Sequence, residues 1–139
     1  MNEQEVLKVL GKVGAVIKNS HVVYTSGKHG SAYVNKDAVY PHTNETSRLC
    51  RSIADHFEDS GVEVVIAPAV GGVILSQWTA EHLTNLTGRE VLGVYAEKEA
   101  ITIADPANKN RHCFIETGNF VIKRGYDKLI DHKHVLVVE

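Results

Sequence analysis

Val62-Glu63-Val64-Val65-Ile66-Ala67-Pro68-Ala69-Val70-Gly71-Gly72 is the stretch from which the fold follows. Val62 to Ala67 is almost entirely apolar and rich in β-branched residues, as a strand buried on both faces of a parallel sheet requires. Pro68 breaks the run and two glycines turn the chain. Ile74, Leu75, Trp78, Leu83 and Leu86 then recur at helical spacing. A strand, a glycine turn and a helix in succession make the repeating unit of an α/β protein.

The pattern continues in both directions. Downstream, Thr87-Gly88 stops the helix and Val91-Leu92-Gly93-Val94-Tyr95 resumes a strand; Val135-Leu136-Val137-Val138 is another, ending in Glu139. Upstream, Thr43 or Asn44 caps a helix whose buried stripe is Leu49, Cys50, Ile53, Ala54 and Phe57, and Ser60-Gly61 ends it. Val6, Leu10, Val13 and Ile17 place an amphipathic helix at the N-terminus, weakened by Gly11 and Gly14. Between these helices, Val22-Val23-Tyr24 and Ala32-Tyr33-Val34 flank the turn formers Ser26 to Gly30 and predict a hairpin or small flap.

Periodicity vanishes from Glu97 to about Gly118, where Asp105 to Asn110 is dense in turn residues, so the expectation is a long lid or binding loop followed by a short strand at Phe120 to Lys123. The predicted organisation is one domain over 1–139: an N-terminal helix and flap over 1–40, then an α/β core over 41–139 with the lid at about 97–118. About three parallel strands are visible, fewer than the usual four to six or so. The last lacks a covering helix, so the core reads as incomplete at its C-terminus.

Composition bounds the function. The 139 residues, 43% hydrophobic, suit one globular core. Fifteen basic against seventeen acidic side chains, a formal charge of −2, exclude a broad electrostatic footprint for nucleic acid or an acidic membrane. Cys50 and Cys113 match no metal-ligand spacing, there is no secretory signal, and no apolar run approaches the roughly 20 residues of a membrane span. The expectation is a soluble, cytoplasmic protein with reduced thiols.

Open α/β sheets bind ligands beyond the carboxyl ends of their strands, and the candidate residues are those at these ends. Gly71 and Gly72 open a helix whose free N–H groups attract anions, and the backbone there can approach a phosphate closely; an ordinary tight turn is the plain alternative. Lys98 follows a strand end and reads either as a phosphate ligand or as a solvated, ion-paired lysine. Lys109, Arg111 and His112 cluster in the lid, where they either fold over a polyphosphate or form a basic loop tip. His132 and His134 read as solvated. Trp78 and Phe57 belong to the core, and Tyr33 stacks on a flat base or packs in the flap. No nucleophilic triad stands out.

Several stretches together, Ser26-Gly27-Lys28-His29, Tyr33-Val34-Asn35-Lys36-Asp37, Pro68 to Gly72, Val94 to Glu99 and Val135 to Glu139, resemble in order and spacing the orotate phosphoribosyltransferases of the type I phosphoribosyltransferase family. The resemblance covers essentially the whole chain. It implies a parallel sheet flanked by helices with a small N-terminal hood. It also implies binding of phosphoribosyl pyrophosphate with Mg2+, transfer of the ribosyl group to N1 of orotate in pyrimidine synthesis, and a homodimer.

Carried over by position, Lys28, Tyr33 and Val34 are substrate-binding hood residues. Ala69, Val70, Gly71 and Gly72 form the pyrophosphate loop. Lys98, Lys109 and His112 are the catalytic cations, with Arg111 beside them as a substrate ligand. Glu139 is the first acid of a paired-acid motif whose following ribose-phosphate loop is missing, so this form is expected to be inactive or partial. None of these residues is assigned as a metal ligand. The chain departs from the family pattern at Thr25, where many members carry lysine, at Gly71, where some carry lysine, and at Glu97, where arginine is common. Two alternatives remain: a non-catalytic module of the same fold that binds nucleotides or protein partners, and a purine phosphoribosyltransferase.

Overall fold

The computed structural model describes the backbone of all 139 residues and every side chain except that of Lys109. In chain order the elements are α1 (Glu3–Lys12), β1 (Val16–Ile17), β2 (Val22–Val23), β3 (His29–Gly30), β4 (Tyr33–Val34), α2 (Thr43–Phe57), β5 (Val64–Pro68), α3 (Gly72–Thr87), β6 (Leu92–Asp105), β7 (Asn108–Val121), α4 (Asp127–Ile130) and β8 (Val135–Val137).

The architecture grows from β5. Its residues Val64 to Ala67 are all buried, and because side chains alternate along a strand they feed two separate cores. Val65 and Ala67 pack with Ala54, Ala80, Leu83 and Val138 beneath α2 and α3, whereas Val64 and Ile66 join Val94 on the opposite face, with Ile122, Ile130 and Val135 packed against them. The main sheet runs β7-β6-β5-β8. In it β5 pairs in parallel with β6, at Val64↔Leu92 and Ile66↔Val94, and with β8, at Val64↔Val135. The expected α/β class and parallel core are present. No helix among the described residues is long and apolar enough to cross a membrane.

The largest departure from expectation lies at 97–118. It is no irregular loop: β6 runs on to Asp105, β7 returns from Asn108, and the two make a long antiparallel arm. Ile101 faces Ile115 and Ile103 faces Cys113 across the pair, which gives one side of the ribbon an apolar stripe. The Asp105 carboxylate accepts the Ala107 N–H at 2.8 Å to close the turn. Phe120 and Val121 are accordingly the end of β7 and not a separate strand.

Smaller corrections follow from local chemistry. α1 ends at Lys12 because Gly14 is left-handed at φ 70°, so Val13 and Ile17 lie outside it. Its start is fixed by a reciprocal Asn2 and Glu5 capping box. The N-cap of α2 is His42, one residue before Thr43 and two before Asn44: the turn from Val39 to His42 leads straight into the helix, and the Thr46 hydroxyl donates to the Val39 carbonyl. The flap is not one hairpin: β2 pairs with β3 across a tight turn, and β4 pairs with β1. Trp78 is only half-buried, stacked on His82 at 6.0 Å; Ser76, Thr79 and Ala80 take the inner face of α3 instead.

Candidate functional site

At the carboxyl end of β5, the Ala69 N–H donates to the Ala96 carbonyl at 2.7 Å, tying the turn to the neighbouring strand. The Ala69–Val70 peptide is cis and Val70 is 86% exposed. Gly72 lies so close to the strand that a Cβ there would meet Ala67 Cβ at 2.7 Å; this glycine is required for helix-to-strand packing. Gly71 is different. A Cβ on it would stand 3.5 Å from both Asp37 Oδ1 and the Tyr40 ring, so the turn from hood to core lies directly against this loop. Val73 N–H is already bonded to the Val70 carbonyl. The start of α3 has no side-chain cap, and its first N–H groups are oriented as an anion site requires.

A groove of about 430 Å³ runs past these strand ends, lined by Pro68, Ala96, Phe120, Val137 and Glu139 among others. Glu139 also borders a smaller apolar cavity of about 200 Å³ that Val34, Lys36, Tyr40 and Leu75 share. The Tyr40 hydroxyl is buried without a hydrogen-bond partner. Burial, reinforced by the Asp37 charge and by Cys50, pushes its pKa above the ordinary tyrosine value.

Lys98 stands two residues beyond Ala96 on β6, at the expected edge. Its Nζ donates to Glu116 Oε2 of β7 at 2.9 Å, in a pair that is 57% and 62% exposed. In this state it is the ion-paired lysine of the plain reading. Beside it, Glu97 accepts from Arg124 Nε at 2.6 Å and lies 3.6 Å from Lys123. The hydrogen bond from Arg124, with both positive charges, holds the Glu97 carboxyl below its usual range and raises Arg124 further, despite some desolvation. Arg124 also lies over the Tyr95 ring at 5.9 Å. Sequence reading missed Arg124, Asp37 and Tyr40; only Glu97, standing where an arginine is common, hinted that a cation had to come from elsewhere.

The other expected residues are less assembled. Tyr33 and Val34 are half-exposed on β4, with the Tyr33 ring 6.5 Å from that of Tyr24, and Lys28 closes the tight turn with its carbonyl accepting from Tyr24 N–H. Arg111 and His112 are exposed near the tip of the arm. His112 faces Ala104, six residues along β6 from Lys98, or about 20 Å at the rise of a strand. The arm therefore holds its tip cations away from Lys98. The side chain of Lys109 lies outside the described residues. His132 and His134 are exposed, and no group of three or more metal-ligating side chains converges among the described residues.

No family model matches the chain. Its curated homologues are orotate phosphoribosyltransferases. It is 39% identical to that of Desulforamulus reducens over 83 residues, 60% of this chain and 43% of the relative. It is 30% identical to that of Chlorobium phaeobacteroides over 139 residues, 100% of this chain and 59% of the relative. The chain thus spans about half the length of the curated relatives it matches. Crystal structures of orotate phosphoribosyltransferase share its fold at 16% identity. The Francisella tularensis structure has a TM-score of 0.54 and covers 96% of this chain and 69% of the other. The Mycobacterium tuberculosis structure, in complex with Fe(III) dicitrate, has a TM-score of 0.52 and covers 97% and 65%.

Proposed function

We propose that this chain carries the N-terminal part of an orotate phosphoribosyltransferase: the base hood, the pyrophosphate turn and the arm that closes over them. The reaction breaks the bond between ribose C1 and pyrophosphate, which leaves with the electron pair, and forms a bond from C1 to N1 of orotate, whose N1 proton is released. The products are orotidine monophosphate and pyrophosphate, a step of pyrimidine synthesis. One observation carries this reading: the strand ends at Pro68 and Ala96 and the Glu139 carboxylate border one groove, and the turn into α3 begins at Pro68, in a chain matched along its whole length by a relative of that activity.

In this reading Ala69 to Gly72 hold the pyrophosphate, Tyr33 and Val34 face the base, and Lys28 and Arg111 bind substrate. Lys98, Lys109 and His112 neutralise the leaving group as the arm closes, so catalysis comes from positioning and charge. Closure also excludes water from the reactive sugar. Mg2+ fits as an ion carried by the substrate, since such ions use one or two carboxylates plus phosphates and Glu139 offers a carboxylate at the groove. The ion would supply charge neutralisation on the pyrophosphate. We further assign a homodimer and a cytoplasmic location.

The ion pair of Lys98 with Glu116 and the distance to the arm tip favour a second reading, a non-catalytic binding module. One experiment separates them. The 139-residue chain, and a form extended at its C-terminus to the length of its relatives, are assayed with phosphoribosyl pyrophosphate, Mg2+ and orotate, adenine or hypoxanthine. Turnover of orotate by the extended form is expected. Turnover of a purine base alone would replace the substrate assignment, and silence with every base would favour the binding module.

A further inference from the structure

The hood contains a pair of histidines that phosphoribosyl transfer leaves without a role. His21 Nε2 and His29 Nδ1 lie 2.6 Å apart, with ring centroids at 4.7 Å and planes tilted by 39°. His29 lies on β3 and His21 immediately precedes β2, in a hairpin whose register pairs Val23 with His29 and Val22 with Gly30. Alternation therefore puts both imidazoles on one face. The strand that carries His29 is held from behind: Tyr24 donates to the Ala32 carbonyl at 2.7 Å, and its ring fills the space beside Gly30 so fully that a Cβ there would fall 2.0 Å from the hydroxyl oxygen.

We propose that His21 and His29 form a binding site for a borderline divalent transition metal of the Zn2+, Ni2+ or Cu2+ class on the outer face of the hood. Imidazole nitrogen suits these ions, and two of them at about 2.0–2.1 Å from one metal stand about 3 Å apart. Seating an ion between the two nitrogens, now 2.6 Å apart, requires only a small opening and rotation of exposed side chains. Both rings are open to solvent, and neither is ion-paired with a carboxylate among the described residues, whereas His82 pairs with Glu81 and His132 with Asp131. Two protein ligands leave further coordination positions to water, which predicts moderate affinity. A two-stranded hairpin this short is marginal by itself, so a metal bridging β2 and β3 stiffens the segment leading to Tyr33.

The test is titration of the 139-residue chain with ZnCl2 near pH 7.5, following the imidazole C–H signals of its eight histidines by NMR. His21 and His29 should move together and saturate at one equivalent before the remaining six respond. His29→Ala and the hydrogen-bonding variant His29→Gln should each weaken binding at least about tenfold, equivalent to about 1.4 kcal/mol. His132→Ala should bind as the parent does. A response at His132 and His134 matching that at the hood pair, or a His29→Gln variant that binds like the parent, would overturn the assignment. The result is independent of whether the extended chain turns over orotate.

Discussion

Alanine should destabilise the chain at Gly72 and be nearly neutral at Gly71, although the two positions are adjacent. At Gly72 a Cβ would stand 2.7 Å from Ala67 Cβ, 3.2 Å from Pro68 Cδ and 3.4 Å from the Ala67 carbonyl carbon. Carbon atoms prefer about 3.5–4.0 Å, so the first contact overlaps by about 1 Å. Neither neighbour has a side-chain torsion that could relieve it, and the start of α3 must lift off β5. Overpacking of this kind costs about 1–3 kcal/mol, offset by at most the ~1 kcal/mol that alanine gains over glycine within a helix. A net loss of about 1–2 kcal/mol follows, or about 3–8 °C in Tm for a domain of this size. Gly71 has helical φ −59° and ψ −34°, and a Cβ there meets Asp37 and Tyr40 only at 3.5 Å, so Gly71→Ala should stay within about 0.5 kcal/mol of the parent. Urea and thermal melts of both variants, followed by circular dichroism, decide the matter. Equal stability of the two, or a greater loss for Gly71→Ala, would refute the packing argument.

Four further outcomes follow. Lys98→Ala in the extended form should lower kcat/KM at least about tenfold, about 1.4 kcal/mol, and an unchanged value would remove Lys98 from phosphate binding. Glu116→Gln should tighten pyrophosphate binding by about two- to fivefold, the scale of an exposed ion pair, as read by calorimetry; weaker binding would show that Glu116 positions Lys98 and does not compete for it. The Glu45 carboxyl of α2 is held below its ordinary 4.5 chiefly by the Lys12 hydrogen bond, with Arg48 also contributing, against its own burial; a depressed carboxyl pKa gives stability that is full above that value and lost as pH falls through the folded one. Unfolding free energy should therefore drop below about pH 4.5, more steeply than in Glu45→Gln, and identical slopes would count against it. Tyr40→Phe removes a buried hydroxyl with no partner and should leave the chain as stable or up to about 1–2 kcal/mol more so, whereas a loss above about 1 kcal/mol would reveal an unseen hydrogen bond.

The parallel core was legible because β5 has no polar face to hide: four consecutive buried residues read the same in sequence and in space. The glycine turn and α3 followed from it, as did Gly61 and Gly88, which end helical segments in the left-handed conformation. The arm was not legible because register irregularities between Lys98 and Ala100 and between Ala104 and Asp105 interrupt the period of two that marks a strand. Strand pairing within the hood was hidden for another reason, since segments of two residues carry too little pattern to choose a partner. At the site, the positions of Lys98 and Gly71 could be read from where strands end. Their neighbours could not: Arg124 reaches Glu97 from 27 residues away, and Asp37 and Tyr40 meet Gly71 only after the hood folds down on the core.

The two ion pairs at the base of the arm bear directly on how the proposed phosphate site would operate. Lys98 with Glu116 is exposed on both sides, whereas in the second pair Arg124 is exposed and Glu97 is about three-quarters covered; a pair as open as the first contributes little to stability, about 0–1 kcal/mol. In the proposed reading, exchange of the Glu116 carboxylate for a phosphate oxygen is therefore cheap, and the incoming group, with more negative charge, takes Lys98. Glu97 and Glu116 keep the positive charges of Arg124 and Lys98 paired at the base of the arm without burying them, so no desolvated cation has to wait for a ligand. The Glu116 carboxylate belongs to β7 and Lys98 to β6, so release of this pair also loosens the base of the arm beside the register irregularity. In the proposed reading, anion arrival and arm movement become one event at the same few atoms.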